Sequence, residues 1–443
     1  MNASPEPRSG RRTAERRLRW LALCAAGLAA SCGGGGDAAA PAPAPVAGAP
    51  SPAPGPAAAP SPSPSPPAQA PSAPTAVATV ASGLDHPWGL AFLPDGRFLV
   101  TERAGRLRLI STSGGLTTIS GLPAVQATGQ GGLLDIALDP AFASNQRIYW
   151  SYNEAGSGAE AGRNGLAVAR GVLDLASASV GNVQVILRQT PKVAGSSGHF
   201  GGRIAFGRDG HLFVTMGDRQ NDSERGYAQD LSRGHGKVAR IHADGTIPAD
   251  NPFVATAGAR SDIWSYGHRN PQGAAVHPAT GELWSVEHGP QGGDELNVVR
   301  AGRNFGWPLI SHGCEYGATP ADRCTPVGGA TSAPAMEQPL AHWVPYSTAP
   351  SGLMFYTGSR FGAWTGKLFA GALSGRTLWR FDIDNGGSIA CTPPGGQAPS
   401  NCSEVPLVKN LNLRIRDVRQ GPQGHVFLLT DQGGNADRLL RLD

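Results

Sequence analysis

The sequence predicts an all-β fold, a six-bladed β-propeller of four-stranded antiparallel blades, over residues 75–443. Three observations carry that prediction. One phrase recurs in six copies: an apolar alternating strand, a tight turn with Asp-Gly or a similar pair, then a second apolar strand. The copies are spaced irregularly, at roughly 45 to 80 residues, as blades with inserts of differing length would be. Amphipathic helical runs are absent, and the stretch is too long for a simple sandwich.

The 443-residue chain opens with something else. Arg8, Arg11, Arg12, Arg16, Arg17 and Arg19 lead into the apolar run Trp20 to Ala30. A basic segment followed by a short apolar one describes a secretory signal, too short to span a bilayer. The break Ala29-Ala30-Ser31-Cys32-Gly33 resembles a bacterial lipobox, although Ala29 stands where a larger aliphatic residue is preferred. Residues 1–31 are therefore expected to be a lipoprotein signal, with Cys32 as the lipid anchor to a membrane. An ordinary secretory signal cut nearby is the alternative, and the paired arginines also permit twin-arginine export. Either route places the protein in the periplasm or cell envelope. The six arginines and two glutamates of this segment account for the whole formal charge of +4. The remainder of the chain is near neutral, with no basic patch to argue for nucleic acid.

Residues 32–74 are almost entirely Gly, Ala, Pro and Ser, with Asp37 as the only charge. Such a composition cannot bury a core. Alternating Ala-Pro and Ser-Pro favour extended geometry, so this is a linker, able to reach on the order of 100 Å at ~3 Å per residue.

The clear copies of the recurring phrase run over Gly89–Thr101, Ile204–Thr215, Ala275–Ser285 and Val418–Thr430; looser ones begin at Asp135 and Leu353. A closed ring removes unpaired edges and gathers the blade loops at the mouth of a central channel. Four cysteines fall in this region, and Cys314 with Cys324 and Cys391 with Cys402 would each close a short loop. Four cysteines allow three pairings, so the spacing alone does not fix them.

Four segments put unusual polar density at strand ends. In Gly198-His199-Phe200-Gly201-Gly202-Arg203 a lone histidine would ordinarily be structural. Asp218, however, lies just past the far strand of the same hairpin, where the ends meet, and could fix one imidazole nitrogen and leave the other as a base. Arg269 and Asn270 stand side by side, able to bind carboxylate and carbonyl oxygens or simply to pack and cap a turn. Glu287 to Asn297 combines a Gly-Pro step, further glycines and carboxylates, the hard-oxygen mixture that suits calcium, although a solvated turn would look similar. Arg414 and Arg416 alternate onto one face of a strand, and two guanidiniums facing one way need anions, either neighbouring acids or a polycarboxylate ligand.

Taken together, Gly198–Arg203, Gly267-His-Arg-Asn-Pro-Gln-Gly273, Glu287–Glu295, Gly302-Arg-Asn-Phe-Gly-Trp-Pro308, Ala349–Gly352 and Arg414–Asp417 resemble the glucose/sorbosone dehydrogenase family. The likeness spans Val77 to Leu442 with the motifs in the same order, and is closer to the aldose sugar dehydrogenase branch. It implies an enzyme that oxidises an aldose at its C1 hydroxyl with the cofactor PQQ and calcium, passing electrons to an external acceptor. His199 matches the general base and Asp218 the carboxylate behind it. Arg269 and Asn270 match the pair on the quinone oxygens, and Gln130 a further cofactor contact. Arg414 and Arg416 match the arginines facing the cofactor carboxylates. Tyr316 matches another cofactor-side residue, and Ser351 lies in a loop lining the same pocket. The carbonyls of Gly289 and Pro290 match ligands of a calcium bridging protein and cofactor. Glu295, with the carbonyl of Phe305, matches a nearby structural calcium. One departure is Ser374, where some relatives carry a cofactor-contacting lysine; Arg376, expected on the same side of a strand, is the candidate substitute.

Two other readings suit a six-bladed propeller. A calcium-dependent lactonase or hydrolase would need a carboxylate-rich metal cluster on the axis. A non-catalytic sugar-binding propeller would have no need of the His199–Asp218 pair.

Overall fold

Each of the six recurring phrases folds as the inner hairpin of one blade. The structure is a computed structural model that describes residues 73–318, 323–383 and 404–443. The signal, nearly all of the linker and the Cys391/Cys402 pair lie outside the described residues. The inner strands are Pro87–Phe92, Leu133–Leu138, Gly201–Phe206, Pro271–Val276, Pro350–Phe355 and Ile415–Gln420. Each begins a four-stranded antiparallel sheet, and the second blade adds the two-residue strand Val193–Ala194. Closure of the ring comes from the two ends of the chain. Val77–Leu84 supplies the outer strand of the last blade, pairing Val77 with Leu442 and Leu84 with Asp437. That leaves the ring no open seam.

The core lies between blades, where the faces of neighbouring sheets meet. Trp284, Val286, Leu296 and Trp343 of the fourth blade, for example, pack on Leu353, Leu368, Trp379 and Phe381 of the fifth. Alternation along each strand supplies these contacts, with one residue to each neighbouring blade.

Two features set up the mouth. The first is a register shift near the start of every inner strand: Pro87/Leu90, Leu133/Ile136, Gly201/Ile204, Pro271/Gly273, Ser351/Leu353 and Ile415/Asp417. A bulge there re-aims the side chains beside it, and three of the four polar segments sit at or just before one, while Glu287–Asn297 follows the strand whose Glu287 pairs with Pro271. The second is Arg203, which is 1% exposed on the axis. From the third blade its guanidinium reaches the inner strands of all the others. It lies 3.9 Å from the Trp88 ring centre, ion-pairs with Asp135 and Asp417 at 3.4 and 3.1 Å, and donates to the carbonyls of Gln272 and Arg416 at 2.7 and 2.9 Å, with Ser351 Oγ at 3.5 Å. Arg419 adds ion pairs to Asp135 and Asp417 at 3.1 and 2.9 Å. The axial carboxylates are thus neutralised by arginine, which fixes the floor beneath the mouth.

Candidate active site at the propeller mouth

His199 sits where the chain turns into the third blade's inner strand. Its φ of 46° is left-handed, a conformation that costs a non-glycine residue on the order of 1 kcal/mol and persists only where the surroundings enforce it. They do so from two sides. The His199 amide donates to Gln130 Oε1 at 3.0 Å, and Nδ1 lies 2.7 Å from Asp218 Oδ1. Gly201, next but one, has φ of 66°, and a Cβ there would meet the Thr215 carbonyl oxygen at 2.7 Å.

Asp218 is wholly committed. It also accepts from the indole Nε1 of Trp307 at 2.7 Å and from the Gln220 amide at 2.9 Å. Burial alone would raise its carboxyl, but the hydrogen bonds from His199 and the Gln220 amide and the nearby charge of Arg269 hold it below the usual carboxylate range. The imidazole of His199 is pushed down, by burial first and then by the charge of Arg269, against the opposing pull of Asp218. The pair is therefore a neutral imidazole with Nδ1 held by a carboxylate and Nε2 left as the basic nitrogen.

Arg269 lies beside it. Its Nη1 donates to the carbonyls of His288, at 3.0 Å, and Gly289, and Nη2 donates to the Tyr316 hydroxyl at 3.1 Å. The guanidinium stands 5.2 Å from the Trp307 ring centre. Asn270 is fully buried with its side-chain oxygen accepting from the Gly201 amide at 3.2 Å. Its Nδ2 and the Nε of Arg269 are buried without any partner among the described residues, donors of the kind a bound oxygen-rich group would satisfy.

Two cavities lie at the mouth. One, about 260 Å³, is lined by His199, Asp218, Arg269, Trp307, Glu315 and Tyr316. The other, about 410 Å³, is within the size range of cofactor sites and runs past Gln130 and His288 to a cluster of arginines. Arg414 and Arg416 both line it, the first just before the sixth blade's inner strand and the second at the bulge between Ile415 and Asp417. Arg416 forms a forked ion pair with Asp431 and also donates to Gln272 Oε1 at 3.2 Å. Arg414 donates to the main-chain carbonyl of Asp431 at 2.9 Å.

A third, small cavity of about 20 Å³ has room for one water or one ion, and Glu287, Gly289, Pro290, Glu295 and Phe305 line it. Burial first, and then the neighbouring Glu287 carboxylate, push Glu295 up to about 8. Two carboxylates around a cavity of ion size, with main-chain carbonyls beside them, form a hard-oxygen donor set that fits calcium. The Gly289 carbonyl accepts from Arg269, which leaves one of its two lone pairs for a cation. Asp294 holds that turn by accepting from the amides of Gly289 and Ala349 at 2.9 and 2.7 Å.

Two expectations change in detail. Ser351 lies on an inner strand, not in a lining loop. It is fully buried and donates to the Arg416 carbonyl at 2.8 Å, so it supports that arginine from below while Ala349 faces the pocket. Arg376 is in a turn with φ of 49°, and its Nη1 donates to the Asn412 carbonyl at 3.0 Å, outside the pocket lining. Gly375 beside it is the turn signal that outweighs the alternation. Trp307 is given no role by the sequence although it lies within a quoted motif; its indole donor to Asp218 could have been suspected from that position. His86, Asp431 and Asp437 are close enough to hold a metal ion, but Arg416, His86 and nearby amides already take their oxygens.

Cys314 and Cys324 form a disulfide with Cα atoms 6.1 Å apart, one of the two expected local pairs. It anchors the loop that carries Tyr316. Replacing both cysteines by serine is expected to cost about 2–3 kcal/mol, because the short loop regains freedom in the unfolded chain. Urea denaturation of the two proteins measures the difference, and equal midpoints would refute it.

The model of the glucose/sorbosone dehydrogenase family matches residues 84–441. The chain is 41% identical over 367 residues to the aldose sugar dehydrogenase YliI of Escherichia coli K12, covering 82% of this chain and 92% of that one. A solved glucose dehydrogenase structure superposes with TM-score 0.75 at 42% identity, over 83% of this chain and 99% of the other. The PQQ-bound aldose sugar dehydrogenase of Streptomyces coelicolor does so with TM-score 0.63 at 30% identity, over 83% and 99%.

Proposed function

Because the chain belongs to the glucose/sorbosone dehydrogenase family, we propose that it is a PQQ- and calcium-dependent aldose dehydrogenase of the periplasm or cell envelope, tethered through Cys32. The reaction is oxidation of a sugar at its C1 hydroxyl to the lactone, with the electrons leaving to an external acceptor. The observation that carries this reading is His199, braced by Asp218, in a cavity whose wall residue Arg269 also lines the ion-sized cavity of the two glutamates.

The residues divide the work. The sugar occupies the cavity walled by Trp307 and Tyr316, where flat aromatic faces suit a pyranose ring. His199 Nε2 takes the proton of the C1 hydroxyl. Asp218 keeps the tautomer right and stabilises the imidazolium that forms. Trp307 holds Asp218 from behind, which fixes the direction in which His199 points. Arg414 and Arg416 bind the cofactor carboxylates, while Gln130, Asn270 and Arg269 hold its quinone end. Arg269 is placed to stabilise negative charge there. Glu295, with the carbonyls of Gly289, Pro290 and Phe305, holds calcium. When bound, PQQ supplies a quinone that accepts two electrons as hydride, and calcium acts as a Lewis acid on the quinone carbonyl.

The axial carboxylates Asp135 and Asp417 are tied to Arg203 and Arg419, which argues against the lactonase reading. Reconstituting the purified chain with PQQ and calcium, then following dye reduction with a panel of aldoses and simple alcohols, tests the proposal. Turnover with aldoses is expected; no cofactor spectrum and no dye reduction with any of them would end it.

A further inference from the structure

The large pocket at the mouth carries more positive charge than its own acids balance. Three guanidiniums line it, those of Arg103, Arg414 and Arg416, against the single carboxylate of Asp431. Arg416 takes that carboxylate with a forked pair, and Arg414 is 4.0 Å from it. Among the described residues Arg103 has no acid of its own. Glu102 beside it is used by Arg106 and Arg108, at 2.6 and 2.8 Å. The Arg103 guanidinium donates from Nη1 to the Gly129 carbonyl at 3.0 Å, and its Nε is buried without a partner. A half-buried arginine with unused donors, in a pocket shared with two more arginines, is matched to an anion from outside.

The backbone holds it in place. The Arg103 amide donates to the His86 carbonyl at 3.1 Å, and its own carbonyl accepts from Leu133 at 3.2 Å. Gly132 makes that approach possible, since a Cβ there would lie 2.0 Å from the Arg103 carbonyl oxygen. The first and second blades thus clamp the residue at the pocket wall, while the sixth blade presents Arg414 and Arg416. Arg376, by contrast, is exposed and spent on the Asn412 carbonyl.

We propose that Arg103 is a third cationic contact for the carboxylates of the bound quinone, completing with Arg414 and Arg416 a polycarboxylate site to which Arg376 does not contribute. This rests on the proposed PQQ dependence. The test is direct binding: the calcium-loaded full chain titrated with PQQ, followed by quenching of tryptophan fluorescence. Arg103→Met is expected to weaken binding about 10- to 100-fold, the range for losing one charge-assisted contact. Arg103→Lys should recover part of the loss, and Arg376→Met should bind within about twofold of the unaltered chain. If the unaltered chain binds PQQ and Arg103→Met binds it equally well, this inference fails while the functional reading stands. If the unaltered chain binds no PQQ, the functional reading fails and the inference with it. Should Arg103→Met not fold, crystals of the unaltered chain with PQQ and calcium decide the matter. A guanidinium nitrogen of Arg103 within hydrogen-bond distance of a cofactor carboxylate supports the proposal, and one turned away overturns it.

Discussion

Replacing His199 with alanine is expected to lower kcat with an aldose by about 10²- to 10⁴-fold, the usual contribution of a positioned general base. The other carboxylates that line the His199 cavity are poorer acceptors, Glu315 being ion-paired with Arg225 at 2.7 Å and Asp222 exposed to water. Asp218 is buried behind the imidazole and already accepts from Trp307 and Gln220. PQQ affinity should change little, because the arginines at the far end of the pocket remain. Burial and Arg269 lower the imidazole, so the acid limb of kcat/KM should fall below the ordinary histidine pKa of about 6.5. Activity is lost as pH drops through the lowered value, when Nε2 becomes protonated. A His199→Ala protein that keeps full turnover, or an acid limb well above about 6.5, would remove His199 from this role.

Calcium removal should produce the second large effect. Burial and the Glu287 carboxylate push Glu295 up from the ordinary 4.5 to about 8. A carboxyl raised in the folded state stabilises the calcium-free protein fully at pH below its unfolded value. That contribution is lost as pH rises through about 8. Calcium takes the deprotonated form, so its affinity should increase over the same interval. With free calcium at about 100 times its Kd, the gain is about 2.7 kcal/mol, which raises Tm by about 3–4 °C for a propeller of this length. Glu295→Gln should relieve the repulsion with Glu287, making the chelated protein more heat-stable near pH ~8 than the unaltered chain and insensitive to added calcium. Thermal scans with and without chelator measure both effects. Identical melting curves for both proteins, with and without calcium, would show that Glu295 holds none.

Much of the fold is legible because one physical unit repeats. An alternating strand, a tight turn and a second strand declare a hairpin locally, and six of them with variable inserts declare a ring. The closure is less legible. Val77–Leu84 contains no copy of the phrase, and its partner Asp437–Leu442 is at the other end of the chain. Arg203 shows the limit of motif reading. Its sequence neighbours mark it as part of a functional segment, but only the assembled ring shows one guanidinium reaching every other blade. Ser351 shows the effect of the bulges. Expected in a loop that lines the pocket, it lies on an inner strand beside the register shift between Ser351 and Leu353. The His199–Asp218 dyad is legible because the two ends of a hairpin must meet, and that constraint needs no knowledge of the ring. Arg103 is not, because a single arginine after a strand is ordinary until its neighbours across two blades are known.

The decisive measurement is stoichiometric reduction of the PQQ-loaded protein by sugar, with oxygen excluded and no dye present. One equivalent of an aldose should convert the oxidised cofactor spectrum to the reduced one and yield one equivalent of lactone. The His199→Ala protein should bind PQQ and keep the oxidised spectrum on the same timescale. An unaltered chain that binds PQQ but is not reduced by any aldose, or a His199→Ala chain reduced at the same rate, would contradict the proposed chemistry.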